Sequence, residues 1–250
     1  MSSASTNSST PQASPFEVSP RRVPTLDELY EMTSVPEERV VIRDVDWAFY
    51  EQLVDSIPPG ANIHADYDGK DVELMSLSGF HDVVKKRMGR FAELVAEELE
   101  IPCTGLGQTT WKRAAIARGL EADECYCFAA DKLTMVAEAV ARFSEDIADY
   151  PNPDLGVEVD VSPPKIDRPG IYAALRVAEV WRYDGKRRAI VIERLMAGGS
   201  YEPIDQSVFL PVRPDDIDRW VLQEDARDGS QWARRLRAWV RAELAPRLPH

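Results

Sequence analysis

Apolar and polar positions alternate strictly over Pro153–Ser162. Leu155, Val157, Val159 and Val161 fall on one face of an extended segment; Asp154, Gly156, Glu158, Asp160 and Ser162 fall on the other. The first face is apolar and largely β-branched, so the pattern predicts a strand backed by the core. Elsewhere the spacing turns helical. Thr25 caps a short helix running to Met32. Trp47, Tyr50, Leu53 and Val54 mark one side of a helix over 44–57, which Pro58-Pro59-Gly60 closes. Val84, Met88, Phe91, Val95 and Leu99 give one buried stripe to a long helix over 82–99. Further helices are predicted over 168–177 and 215–221. A last one, with Ser230 as its cap, carries Trp232, Leu236, Trp239 and Leu244.

Short strands fill the gaps. Segments 63–67 and 71–75 form a hairpin about Asp68-Gly69, and 180–183 with 189–195 form another about Asp184-Gly185. Segments 40–42, 109–113 and 123–128 read as single strands, 207–210 as an edge piece, 114–119 as a connector and 129–151 as a polar link with one short helix. No internal repeat is present. This order predicts an α+β or α/β fold around a central mixed sheet flanked by helices. Residues 1–23, rich in Ser, Thr and Pro, predict a disordered tail, and 24–250 a single domain.

Composition narrows the partners. Of 250 residues, 30 are basic and 43 acidic, a net charge of −13, so nucleic acid can be attracted only through a local basic patch. Lys85, Lys86, Arg87 and Arg90 crowd one half of the long helix. They read as a solvated face or, more pointedly, as a phosphate-facing patch. Arg234, Arg235, Arg237 and Arg241 line the outside of the last helix. No apolar run is long enough to span a bilayer and no secretory leader is expected. Three scattered cysteines, Cys103, Cys125 and Cys127, suggest reduced thiols and a cytoplasmic setting.

Candidate chemistry begins with Glu158 and Asp160, which share a strand face about 6.6 Å apart at about 3.3 Å per residue. They form either a wet acidic face or, if buried, the wall of a cleft or cation site, because unpaired carboxylates are costly away from water. Magnesium-dependent phosphodiester hydrolysis needs one or two such carboxylates and a cationic group for the phosphate. Asp154 lies four residues from Glu158, roughly 13 Å along the strand, too far to share a small ion. Asp123 opens the preceding strand and is the better partner, since neighbouring strands lie about 4.8 Å apart; Asp160 is the other near candidate.

Three runs then carry a resemblance: Gly119-Leu-Glu-Ala-Asp123-Glu-Cys-Tyr126, Pro153-Asp-Leu-Gly-Val-Glu158-Val-Asp-Val-Ser162, and Asp167-Arg-Pro-Gly-Ile-Tyr172 through Trp181-Arg-Tyr-Asp-Gly185. Together with Tyr67–Met75, the His81 helix and Leu106–Arg113, they resemble the Uma-two family of bacterial restriction-endonuclease-like proteins, within the PD-(D/E)XK nuclease superfamily. The resemblance implies a restriction-endonuclease-like core and a DNA endonuclease using Mg²⁺ or Mn²⁺. It implies metal ligands at Asp123 and Glu158. From their places on the strands, Glu73 of the first hairpin is a candidate to complete the site and Asp160 a further acidic candidate. The superfamily's lysine, two residues after the glutamate, is replaced here by Asp160, and relatives draw a basic residue from the following helix. Arg168 stands at that place, with Lys165 just before it. An arginine clamps a phosphate but does not act as a base near neutral pH. His81 and Lys112 are weaker candidates. Double-strand cleavage implies a homodimer. The rival expectation is a catalytically degenerate module on the same fold, used for binding or regulation.

Overall fold

The computed structural model describes residues 22–248; the predicted tail lies outside these residues except for Arg22 and Val23. Among the described residues, eleven strands form two sheets. The first is antiparallel throughout, in the order β1 (Val40–Ile42), β3 (Val72–Met75), β2 (His64–Tyr67), β6 (Arg118–Ala122), β5 (Thr109–Arg113). The second runs β11 (Tyr201–Pro203), β10 (Ala189–Leu195), β9 (Glu179–Asp184), β8 (Leu155–Asp160), β7 (Glu124–Cys127), β4 (Thr104–Gly105). Only the β8–β9 pair is parallel, joined by a crossover through α5 (Arg168–Ala174), so this sheet is the mixed one.

Helices cover both sheets. α1 (Leu26–Met32) and α2 (Trp47–Ser56) pack on the first sheet through Leu29, Tyr50 and Leu53. α3 (Gly79–Glu98) and α7 (Gly229–Trp239) bury Met88, Phe91, Val95, Trp232 and Leu236 on the face of the second sheet that presents Leu155, Val157 and Val159. α6 (Pro214–Asp218) adds Ile217 to this core. A third apolar cluster unites Trp111 and Leu120 of the first sheet with Ile171 and Tyr172 of α5 and Val180 of β9. α4 (Ala130–Ala141) follows β7. Among the described residues no helix is long and apolar enough to cross a membrane.

Several expectations change here. The central strand is buried on both faces, since every residue of Leu155–Asp160 is enclosed, so a wet acidic face is excluded. A second sheet exists because 118–122, expected as the end of a connector at 114–119 and an unassigned stretch after it, is the strand β6. Its glycine and charges disguised it, and a turn with Ala117 at φ 46° reverses the chain into it from β5. Strand β4 was also invisible, being two residues long. Segment 207–210 is not a strand; Tyr201–Pro203 takes the edge place beside β10. The first hairpin pairs Tyr67 with Val72, so its loop has four residues, Asp68–Asp71. Helix α3 starts at Gly79, three residues before the expected start at 82, because Ser78 accepts a hydrogen bond from His81 N. Asp228, not Ser230, caps α7 by accepting from Ser230 N and Gln231 N.

Candidate functional site between the two sheets

The chain passes from the first sheet to the second at Asp123, between β6 and β7. There its Oδ2 accepts a hydrogen bond from Val159 N, 2.8 Å away on β8. The interruption that ends one ladder thus carries a carboxylate to the strand bearing Glu158. On the first sheet Asp66 and Glu73 are directly opposed partners on β2 and β3, an arrangement that is unfavourable for like charges. On the second, Glu158 and Asp160 face the same way from β8. Carboxylates from both sheets therefore meet in one enclosed layer.

Arginines hold them together. Arg168, 3 % exposed at the first turn of α5, donates from Nη2 to Glu158 at 2.6 Å and from Nη1 to Asp160 at 3.0 Å. Its Nε faces Asp66 at 3.0 Å without hydrogen-bond alignment. Arg39, just before β1, bridges Glu73 and Asp160, and Arg182 on β9 joins Asp160 to Glu193. Tyr172, one helical turn after Arg168, donates its hydroxyl to Glu158 Oε1. Gly156 makes room for that ring: a Cβ there would lie 2.8 Å from Tyr172 Cε1. His81, in the first turn of α3, reaches Asp123 from Nε2 at 3.1 Å, while its buried Nδ1 has no hydrogen-bond partner among the described residues.

The electrostatics follow from five buried carboxylates set among three guanidiniums. Burial, reinforced by Asp123, Asp160 and Asp66, pushes Glu158 up to about 8 against the pull of Arg168. Burial likewise lifts Asp66 to about 6. For Asp160 burial acts the same way, but Arg168, Arg182 and Arg39 outweigh it and hold the group below its ordinary value. Asp123 is also held low, because His81 outweighs its burial. His64 is pushed down to about 4 by burial, so its ring is neutral near pH 7.

Arg39, His64, Asp66, Glu73, Met75, His81, Asp123, Glu158 and Arg168 line a pocket with room for about one water molecule. The structure thus brings Asp123, Glu158, Glu73, Arg168 and His81 to one pocket, with Asp160 tied to it through Arg168. Glu73 has both oxygens engaged, by Arg39 and by Lys165 N at 2.5 Å. Lys165 turns its ammonium away to Arg39 O at 2.5 Å. Lys112 pairs with Asp55 and takes no part. Asp154 is engaged elsewhere, accepting from Phe128 N, Ala129 N and Lys132. Sequence reasoning passed over Arg39, His64, Asp66, Tyr172 and Arg182. A signal existed for one of them: Asp66 alternates with His64 on a strand whose hairpin partner carries Glu73.

The donor set is rich in carboxylate oxygens. They lie in a buried layer with more negative than positive charge, and Glu158 keeps lone pairs beyond those used by Arg168 and Tyr172. Among the described residues no three His, Cys, Asp or Glu side chains are grouped to hold a metal. Asp123 and Glu158 would be the protein's whole share of ligands, a number that Mg²⁺ accepts.

No family model matches the chain. No curated protein matches it either. Among solved structures it is similar to a chain from Anabaena variabilis ATCC 29413 described as "a putative nuclease belonging to DUF820". The identity is 10 %, the TM-score 0.43, and the match covers 71 % of this chain and 99 % of that one. A likeness so distant assigns no chemistry, so function has to be argued from the pocket.

Proposed function

We propose that the chain is a metal-dependent endonuclease of restriction-endonuclease-like architecture that hydrolyses phosphodiester bonds in DNA. One observation carries this reading: Asp123, from the break between the sheets, and Glu158, from the central strand, line the same small pocket, and Arg168 opens the next helix against them. Asp123 and Glu158 would hold Mg²⁺ or Mn²⁺. When bound, the ion supplies a water acidified near neutral pH and offsets charge on the phosphate.

The remaining duties fall on the chain's own groups. His81 keeps the Asp123 carboxylate ionised and oriented. Arg168 fixes Glu158 and offers the phosphate a guanidinium rather than a base, which accounts for the loss of the superfamily's strand lysine to Asp160. Asp160, held by three arginines, serves as an anchor for those cations. Cutting both strands requires two such sites, and a homodimer meets that need.

The test is nicking of supercoiled plasmid with Mg²⁺ or Mn²⁺. Glu158→Gln, which preserves shape and removes the charge, is expected to abolish nicking with an unchanged circular dichroism spectrum. Nicking that persists at the wild-type rate overturns the assignment. A second reading, a degenerate module for binding or regulation, is favoured by the fact that Arg168 and Tyr172 together engage both oxygens of Glu158. Absence of any Mn²⁺ binding heat in calorimetry, alongside absence of nicking, decides for that reading.

A further inference from the structure

The cations of the pocket's hydrogen-bond network are almost all neutralised. Arg39 is paired with Glu73 and Asp160, Arg168 with Asp66, Glu158 and Asp160, and Arg182 with Asp160 and Glu193. Lys165 points at a backbone carbonyl. Lys85 differs. It lies on α3 one turn beyond His81, on the same helical face, so the helix that places His81 in the pocket places Lys85 at its rim. Its ammonium donates to Gln108 Oε1 at 2.5 Å, and among the described residues it has no carboxylate within ion-pair distance. Gln108 is exposed. It follows Gly107, which takes a φ of +66°, and its Nε2 meets His64 Nε2 at 2.9 Å and Glu121 Oε1 at 2.5 Å.

His64 lines the pocket, so Gln108 links Lys85 to one of the pocket's wall residues. A neutral amide is a weak partner for an ammonium, and an anionic oxygen is a better one. We infer that Lys85 is a second phosphate-binding cation beside Arg168: an arriving phosphodiester displaces the Gln108 amide from the ammonium as the anion is seated. This rests on the nuclease reading for the identity of the phosphodiester. It supplies, from a different element, the phosphate contact that Asp160 cannot make, and it adds to Arg168 a cation with no ion pair to break.

The experiment measures binding of a fluorescein-labelled DNA duplex by anisotropy over a salt series, with Ca²⁺ in place of Mg²⁺, for the full chain and three variants. Lys85→Ala is expected to raise Kd by about five- to tenfold and to lower the salt slope by about one. Lys85→Arg is expected to restore most of the affinity. Arg22→Ala, at an exposed residue paired with Glu28, removes the same charge as a control and is expected to change Kd by less than about twofold. Equal Kd and equal slope for Lys85→Ala and wild type overturn the role of Lys85 while leaving the nuclease reading to the plasmid test. Duplex binding lost in Lys85→Ala, with no nicking by the wild type, keeps the phosphate contact and rejects the nuclease. A wild type that binds no duplex rejects both.

Discussion

Removing Arg168 probes the centre of the buried layer. The guanidinium contacts three carboxylates from two sheets at 2.6–3.0 Å and is 3 % exposed. Arg168→Met keeps most of the volume and deletes the charge, leaving Asp66, Glu158 and Asp160 short of a shared counterion. Breaking a buried ion pair from one side costs about 3–5 kcal/mol. For a chain of this size that lowers Tm by about 6–20 °C, at about 2–4 °C per kcal/mol. The pH dependence identifies the cause. Glu158 and Asp66 already sit above their ordinary values, at about 8 and about 6, and losing Arg168 raises them further. A carboxyl raised by folding gives stability that is complete below its unfolded value, near 4, and is lost as pH climbs through the folded value. The deficit of the variant is therefore smallest near pH 5 and largest near pH 8. Urea unfolding followed by tryptophan fluorescence at both pH values measures it. A deficit under about 1 kcal/mol at pH 8, or one that grows toward acid, refutes the idea that this guanidinium neutralises the layer. Arg168→Lys is expected to fall between the two, because one ammonium cannot serve three carboxylates as a planar fork does.

Two further predictions address the supports of the site. Gly156→Ala puts a methyl 2.8 Å from the Tyr172 ring and is expected to cost about 1–3 kcal/mol; in a double-mutant cycle with Tyr172→Ala most of that cost should vanish, and strict additivity would show that the clash lies elsewhere. Asp154 is held below its ordinary value of 3.8 because bonds from Ala129 N, Lys132 and Phe128 N outweigh its burial. Its contribution is present above that value and lost as pH falls through the lower folded one. Asp154→Asn should therefore destabilise by about 1–3 kcal/mol at pH 7 and show a shallower acid-unfolding curve than wild type, and parallel curves would contradict it.

The strands and helices with clear periodicity were legible in the sequence: the alternating core strand, the α3 stripe and both hairpins stand where the pattern puts them. The second sheet was not, because β6 reads Arg-Gly-Leu-Glu-Ala and owes its extended form to pairing with Thr109–Arg113 rather than to its own composition. Among candidate residues, Asp123 and Glu158 were named from spacing and resemblance, and they line one pocket. Arg39 and Asp66 were not, because they enter through contacts between sheets, and sequence distance says nothing about which sheet faces which. Arg39 reaches Asp160 across 121 positions of chain.

The sheet change at Asp123 has a consequence for assembly. Residues 39–73 are synthesised well before Arg168, yet Asp66 of the first hairpin depends on that arginine for its counterion. A fragment ending before α5 would keep Arg39 and Lys165 N for Glu73 and Glu121 N for Asp66, but would lack the guanidinium that faces Asp66. The amino-terminal half is thus electrostatically unfinished until the crossover helix docks. Closure of the site and completion of the fold are then one event, and an amino-terminal fragment should remain expanded where the whole chain is compact.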